Sequence, residues 1–290
     1  MLTFNDIFKL IRPHQYIKNF FVFAPLFFAA KFTNISLLID TTVAFFAFSL
    51  AASSIYVLND YLDIEDDKKH PKKRMRPLAS GAISKPQAIL IMIIMFSSSV
   101  ALLVSTSVEA LGIMLIYVCM NIAYSVRLKH VAILDVTIIA IGFVLRLFIG
   151  SVVTNIPLSS WIVVMTFLLA LFMALAKRRD DVLIYLDTGK KMRKVIDGYN
   201  LQLVDTAMAI MASVVIIAYI TYTTSAEVAA RVDSSYLYLT ALFVTLGIMR
   251  YLQIAYVHLD SGSPTKIVTK DRFIQLVLVG WLISFTWILY

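Results

Sequence analysis

The sequence predicts an all-α integral membrane protein: a single domain over residues 1–290, built as a bundle of nine transmembrane helices. Composition is the first observation. Hydrophobic residues fill 60% of the chain and charged residues 15%, against about 45–50% and about 25% in soluble domains. The second is spacing: apolar runs of about 17–23 residues recur from end to end, the length of one helical crossing. The third is charge. Of the 26 Lys and Arg residues, all but Lys31, Arg146 and Arg231 fall at the N-terminus or in every second connection, which the positive-inside rule assigns to the cytoplasm.

Residues 4–13 (FNDIFKLIRP) read as a short amphipathic helix at the interface. His14 to Phe32 is the first span. Only Asn19 to Ala30 is uncharged, so Lys18 and Lys31 must snorkel. No small-residue cleavage site follows Lys9 and Arg12, which argues for a retained helix rather than a signal peptide. The second span, Thr41 to Leu58, ends in a charged loop over 59–86. Pro86 opens the third, 87–108, and Glu109 separates it from the fourth, 110–126. A basic loop over 124–130 leads to the fifth span, 133–153, and then the sixth, 158–176. A second charged loop covers 177–204. The seventh, eighth and ninth spans are 206–225, 235–256 and 273–290. Lipid satisfies no backbone polar group, so each span is helical. This topology puts the N-terminus and both charged loops in the cytoplasm of a multi-pass cell-membrane protein, and the C-terminus outside. The two long charged loops lie four helices apart, a spacing that suggests two halves facing one cytoplasmic-side cavity.

The formal net charge of +8 suits cytoplasmic loops against anionic lipid, with no nucleic-acid partner. Cys119 is alone and reads as a small buried hydrophobe. His14, His70, His130 and His258 have no metal-ligand spacing. A homo-oligomer is compatible with the sequence and not required by it.

Residues 59–81 (NDYLDIEDDKKHPKKRMRPLASG) hold the densest charge in the chain. On a helix Asp60, Asp63 and Asp67 fall at i, i+3 and i+7, one face, with Asn59 and Asp66 beside it. Carboxylates gathered on one face repel unless a cation lies among them. Hard oxygen ligands suit Mg²⁺, which is held by a few carboxylates together with substrate phosphates. Lys68, Lys69, His70, Lys72, Lys73, Arg74 and Arg76 follow at once, and Arg and Lys are the natural partners of phosphate. A positive loop that only sets topology accounts for these cations but not for the carboxylates before them. The pattern is that of a metal–pyrophosphate site.

The second charged loop opens with Lys177, Arg178, Arg179, Asp180 and Asp181. Lys177 and Asp181 form an i, i+4 pair if the helix continues. Arg146 lies deep in the fifth span, where charge is costly and is functional or paired. Asp135, three turns earlier, shares its face but lies roughly 16 Å away along the axis. Gln15, Lys18 and Asn19 share a face at the cytoplasmic end of the first span. Tyr124, Lys129 and His130 lie within reach of phosphate in the loop after the fourth.

The N-D-x-x-D-x-x-x-D pattern at 59–67, on the second of nine spans, resembles the UbiA-type prenyltransferase superfamily, and the likeness covers nearly the whole chain. Members typically carry a second motif, D-x-x-x-D, after the sixth span. Here K-R-R-D-D stands in its place. RPHQYIKN at 12–19, HPKKRMRPLASG at 70–81, YSVRLKH at 124–130 and FVLRLFIG at 143–150 are similar to one branch, the decaprenyl-phosphate phosphoribosyltransferases. The resemblance implies transfer of 5-phosphoribose from 5-phosphoribosyl diphosphate (PRPP) to a polyprenyl phosphate, with release of pyrophosphate, on the way to a lipid-linked pentose donor for cell-wall polysaccharide. It also implies roles. Asp60 and Asp63 would hold Mg²⁺ with Asp67 in support. Lys73, Arg74 and Arg76 would meet the pyrophosphate, and Lys177, Arg178 and Arg179 the extra 5-phosphate of the donor. The prenyl phosphate is largely ionised at pH 7, its second pKa being about 6, so no dedicated base is needed. The alternative is a prenyltransferase moving a prenyl diphosphate's chain to an aromatic or glycerophosphate acceptor. A transporter would also use nine spans, but has no need of a carboxylate face beside a phosphate-binding loop.

Overall fold

The computed structural model describes residues 3–69, 73–191, 193–226, 228, 234 and 236–289. The chain packs as two compact units, Met1–Lys129 with Gly142–Leu158 and His130–Ile141 with Ser159–Tyr290. Helices are the only regular structure among the described residues. Eight of them are long and apolar enough to cross a membrane, which makes this a multi-pass membrane protein.

In the first unit, α1 (Phe4–Ile11) starts at Thr3, whose hydroxyl accepts from the Asp6 amide, and ends at Arg12 in the left-handed region. Pro13 has no N–H to donate, so the α-helix cannot run on. The chain continues as a 3₁₀ helix, Pro13–Phe23, followed by α2 (Ala24–Phe28) with Pro25 in its first turn. The first predicted span, His14–Phe32, is thus a 3₁₀ helix followed by a short α-helix rather than one long α-helix, and it is not among the eight long helices of the described residues. The long helix α3 (Ile35–Leu62) is capped by Asn34. It buries Ala44, Ala47, Ala51 and Ala52, small residues that let neighbours approach closely. It stops at Asp63 and the chain restarts as α4 (Ile64–Lys69). A Ser84–Gln87 capping box opens α5 (Lys85–Val104), and Ser107 caps α6 (Val108–Val126). Buried Phe48, Leu103, Met114, Tyr117 and Ile149 pack with the alanines into one core.

Helix α7 (Leu134–Thr154) contributes its first two turns to the second unit and the remainder to the first. Gly150 has no side chain because the 3₁₀ segment leaves no room: a Cβ there would collide with the Val22 carbonyl. That close approach brings Asn19 beside Arg146, one turn before Gly150 on α7.

In the second unit, α8 (Ser160–Thr188) is capped by Ser159 and ends at Gly189, left-handed at φ 66°. Residues 177–188, read from sequence as loop, are therefore three further helical turns. No Gly or Pro interrupts them, and Arg178 and Asp181 pair at i, i+3. Asn200 caps α9 (Leu201–Thr224), and α10 (Ala241–Tyr256), α11 (Pro264–Lys270) and α12 (Arg272–Leu289) complete the chain. The core here is Phe172, Leu175, Val195, Ile196, Val204, Met208, Tyr251 and Ile254. His70 and Lys72 of the basic segment, and Arg231, lie outside the described residues.

Candidate functional site

In the first unit the acidic motif is a ladder of alternating charge rather than one acidic face. Asp60 is 2% exposed and Asp67 equally so. Arg76 joins them through one nitrogen: Nη1 lies 2.9 Å from Asp60 Oδ1 and 2.7 Å from Asp67 Oδ2. Arg12 donates Nη2 to the same Asp60 oxygen, with its guanidinium 5.4 Å above the Tyr56 ring. Lys73 Nζ lies 3.9 Å from Asp67 Oδ1. Asp63 turns away from this pair and takes Lys129 Nζ at 2.6 Å. The reason is local. The helix breaks at Asp63, so the i, i+3, i+7 register assumed from sequence does not persist, and only Asp60 and Asp67 meet. Asn59 is half-buried beside Asp60, Arg74 is exposed and Tyr124 is half-buried.

No group of three or more His, Cys, Asp or Glu side chains converges as a metal cage among the described residues. One atom nevertheless fits a hard cation: Asp60 Oδ2 is buried and has no hydrogen-bond partner among the described residues. A buried carboxylate oxygen left unmatched costs about 1–3 kcal/mol or more. A divalent ion shared with Asp67 would satisfy it.

Arg146, 4% exposed, belongs to the same unit. Its Nε donates to Asn19 Oδ1 at 2.8 Å and Nη1 to the Gly142 carbonyl. Asn19 in turn donates to Ser49 at 2.8 Å. The hydrogen-bond partners of Arg146 are neutral, and Asp135, on the same helix, belongs to the other unit.

The second unit holds its own ion cluster. Arg178, 1% exposed, donates Nε to Asp135 Oδ2 and Nη1 to Asp181 Oδ2 at 2.8 Å. Arg193 Nε approaches the same Asp181 oxygen at 3.2 Å. The Tyr199 hydroxyl donates to Asp135 Oδ1 at 2.6 Å and accepts the Ile133 amide at 2.8 Å. Burial and the Asp135 carboxylate both raise the Tyr199 phenol above its usual value. Arg179 binds Asp205 at 2.7 Å and the Ala255 carbonyl at 2.6 Å. Arg178 and Arg179, read from sequence as phosphate ligands, are thus buried and bound to carboxylates. Asp181 pairs with arginines rather than with Lys177, which is exposed.

Sequence reasoning missed Arg12, Asp135 and Tyr199 as partners of the charged motifs. Arg12 opens the RPHQYIKN stretch, which was the available signal. Nothing near Asp135 or Tyr199 in sequence announces the 64-residue separation of their bond.

The UbiA prenyltransferase family matches residues 19–287. The chain belongs to that family. Its relatives include the decaprenyl-phosphate phosphoribosyltransferase of Mycolicibacterium smegmatis, 31% identical over 96% of this chain and 90% of that protein. Another is the enzyme of the same name from Corynebacterium glutamicum, 28% identical over 99% of this chain and 87% of that one. Among solved structures, a UbiA homolog from Archaeoglobus fulgidus bound to DMAPP and Mg²⁺ has a TM-score of 0.72 at 19% identity, covering 96% of this chain and 98% of its own. At that identity the likeness fixes the UbiA fold.

Proposed function

We propose that this UbiA-family protein transfers the 5-phosphoribosyl group of PRPP to a polyprenyl phosphate, releasing pyrophosphate, with Mg²⁺ as its divalent ion. The carrying observation is the ladder in the first unit: two buried carboxylates, one with an unmatched oxygen, flanked by Arg12, Arg76 and Lys73. The phosphoribosyltransferases that align over nearly the full chain support the choice of donor and acceptor.

Asp60 and Asp67 would hold the metal, which supplies charge neutralisation for the departing pyrophosphate. Arg76 and Lys73 lie beside these carboxylates and can take pyrophosphate oxygens, with exposed Arg74 adjacent. Asp63 holds Lys129 in place. The acceptor phosphate arrives already ionised, so the chain's work is positioning and fixed charge rather than proton abstraction. The positive-inside distribution assigns the motif to the cytoplasmic face of the cell membrane.

The test is purified protein with PRPP, polyprenyl phosphate and Mg²⁺, assayed for pyrophosphate and for the phosphoribosyl lipid. Both products are expected. Inertness toward PRPP, together with transfer from a prenyl diphosphate to an aromatic acceptor, would overturn the assignment. Orientation is checked separately in a Cys119→Ser background. Lys190→Cys should resist an impermeant thiol reagent on intact cells, and Val108→Cys should react.

A further inference from the structure

Two cations of the first unit stand outside the carboxylate ladder. Lys18, half-buried on the 3₁₀ segment, makes no hydrogen bond or ion pair with any described residue, and the charges acting on it are those of Arg146 and Arg12. Arg146 uses Nε and one Nη1 donor on Asn19 and Gly142. Its Nη2 has no partner among the described residues, which leaves two N–H donors unused on an almost wholly buried side chain. The rings of Phe48, Tyr117 and Phe143 stand 4.6, 5.3 and 5.1 Å from the guanidinium carbon and fix its plane.

Two like charges held together out of bulk water repel each other and lose hydration. An anion between them removes both costs. Three donors on Lys18 Nζ and two on Arg146 Nη2 match the oxygens of a phosphate dianion. Among the described residues no carboxylate pairs with Lys18 or Arg146, so this anion is bound without a metal, unlike the pyrophosphate. The walls are aromatic, and Ile17 and Phe20 on either side of Lys18 are exposed apolar residues, a face suited to hydrocarbon.

We propose that Lys18 and Arg146 form a metal-independent site for the phosphate monoester headgroup of the lipid acceptor. This assignment rests on the transfer reaction proposed above, whose acceptor is a lipid monophosphate.

The test is binding of dodecyl phosphate to the purified protein in uncharged detergent with chelator and no donor. Dodecanol and inorganic phosphate serve as separate arms. Dodecyl phosphate should bind, dodecanol should not, and inorganic phosphate should bind at least tenfold more weakly. Lys18→Met should weaken dodecyl phosphate binding about ten- to a hundredfold, the range for a hydrogen bond to a charged group. Lys18→Arg, which keeps the charge, should restore it to within a few fold, and Arg146→Lys should fall between the two. In turnover, Lys18→Met should raise KM for the lipid and leave KM for PRPP unchanged. Wild-type affinity in Lys18→Met would overturn the site, whichever donor the enzyme uses. Equal affinity for inorganic phosphate would overturn the lipid headgroup. If the wild type binds dodecyl phosphate as described yet never consumes PRPP, the transfer reaction falls instead.

Discussion

The two ion clusters use the same residue types and differ in what is left over. In the second unit the central pair is answered and hidden: the side chains of Arg178 and Asp135 are 1% and 0% exposed, with Tyr199 and Asp181 completing the shell and Arg193 and Asp205 half-open at its edge. In the first unit the carboxylates are buried but their cations are partly open, with Arg12, Lys73 and Arg76 side chains 20%, 33% and 25% exposed, and one oxygen of Asp60 has no partner among the described residues. A closed cluster has nothing to offer a ligand and serves to hold helices together. A cluster with spare donors and a spare acceptor is built to receive one.

Mutations sharpen this contrast if they separate stability from turnover. The largest effect is expected at the closed cluster. Arg178→Ala leaves Asp135 charged and buried, which should destabilise the protein by about 3–5 kcal/mol, visible as a lowered melting temperature in detergent. An unchanged melting temperature with a raised KM for PRPP would show that Arg178 serves substrate after all. Next, Asp60→Asn should lower turnover about 10²–10³-fold, as when a preorganised charge contact is lost, while melting changes little. If melting collapses as for Arg178→Ala, the two clusters are not different in kind.

Tyr199→Phe removes a bond to a buried carboxylate and orphans the Ile133 amide, a loss of about 1.5–3 kcal/mol. Its pH dependence has a definite sign. The folded phenol is raised above its usual 10.0, so its contribution is complete below pH 10 and is lost as pH rises through the folded value. Alkaline melting curves of Tyr199→Phe should therefore be flatter than those of the wild type. Gly150→Ala should cost about 1–3 kcal/mol by overpacking against Val22 and should weaken turnover by displacing Asn19 and Arg146. Smallest of all, Glu65→Gln breaks only an exposed pair with Lys68 and should move neither melting nor rate measurably.

Much of this was legible in the sequence where the signal is local. Hydropathy located the eight spanning helices because lipid forces one secondary structure on an apolar run. The acidic motif was legible because five acids within eight positions beside a span have no topological purpose. What failed was register and reach. Helical periodicity put Asp60, Asp63 and Asp67 on one face, but the break at Asp63 sends that residue to Lys129. Hydropathy read 14–32 as one span but could not say that Pro13 and Pro25 make it a 3₁₀ helix followed by a short α-helix. Arg178 and Arg179 looked like loop cations because their partners Asp135 and Asp205 lie 43 and 26 residues away, distances no local pattern bridges.

The length of α8 carries a consequence for how the protein is made. At 29 residues it is about 43 Å long, some 13 Å more than the roughly 30 Å of hydrocarbon it must cross. Its apolar stretch ends at Ala176, so Lys177, Arg178 and Arg179 act first as a stop during insertion, reaching the headgroup layer with their charges still hydrated. In the folded protein both arginines of this overhang are out of water, joined to Asp135 of α7 and Asp205 of α9. Charges too costly to carry into lipid on their own are in this way buried in protein without ever having entered the bilayer's interior.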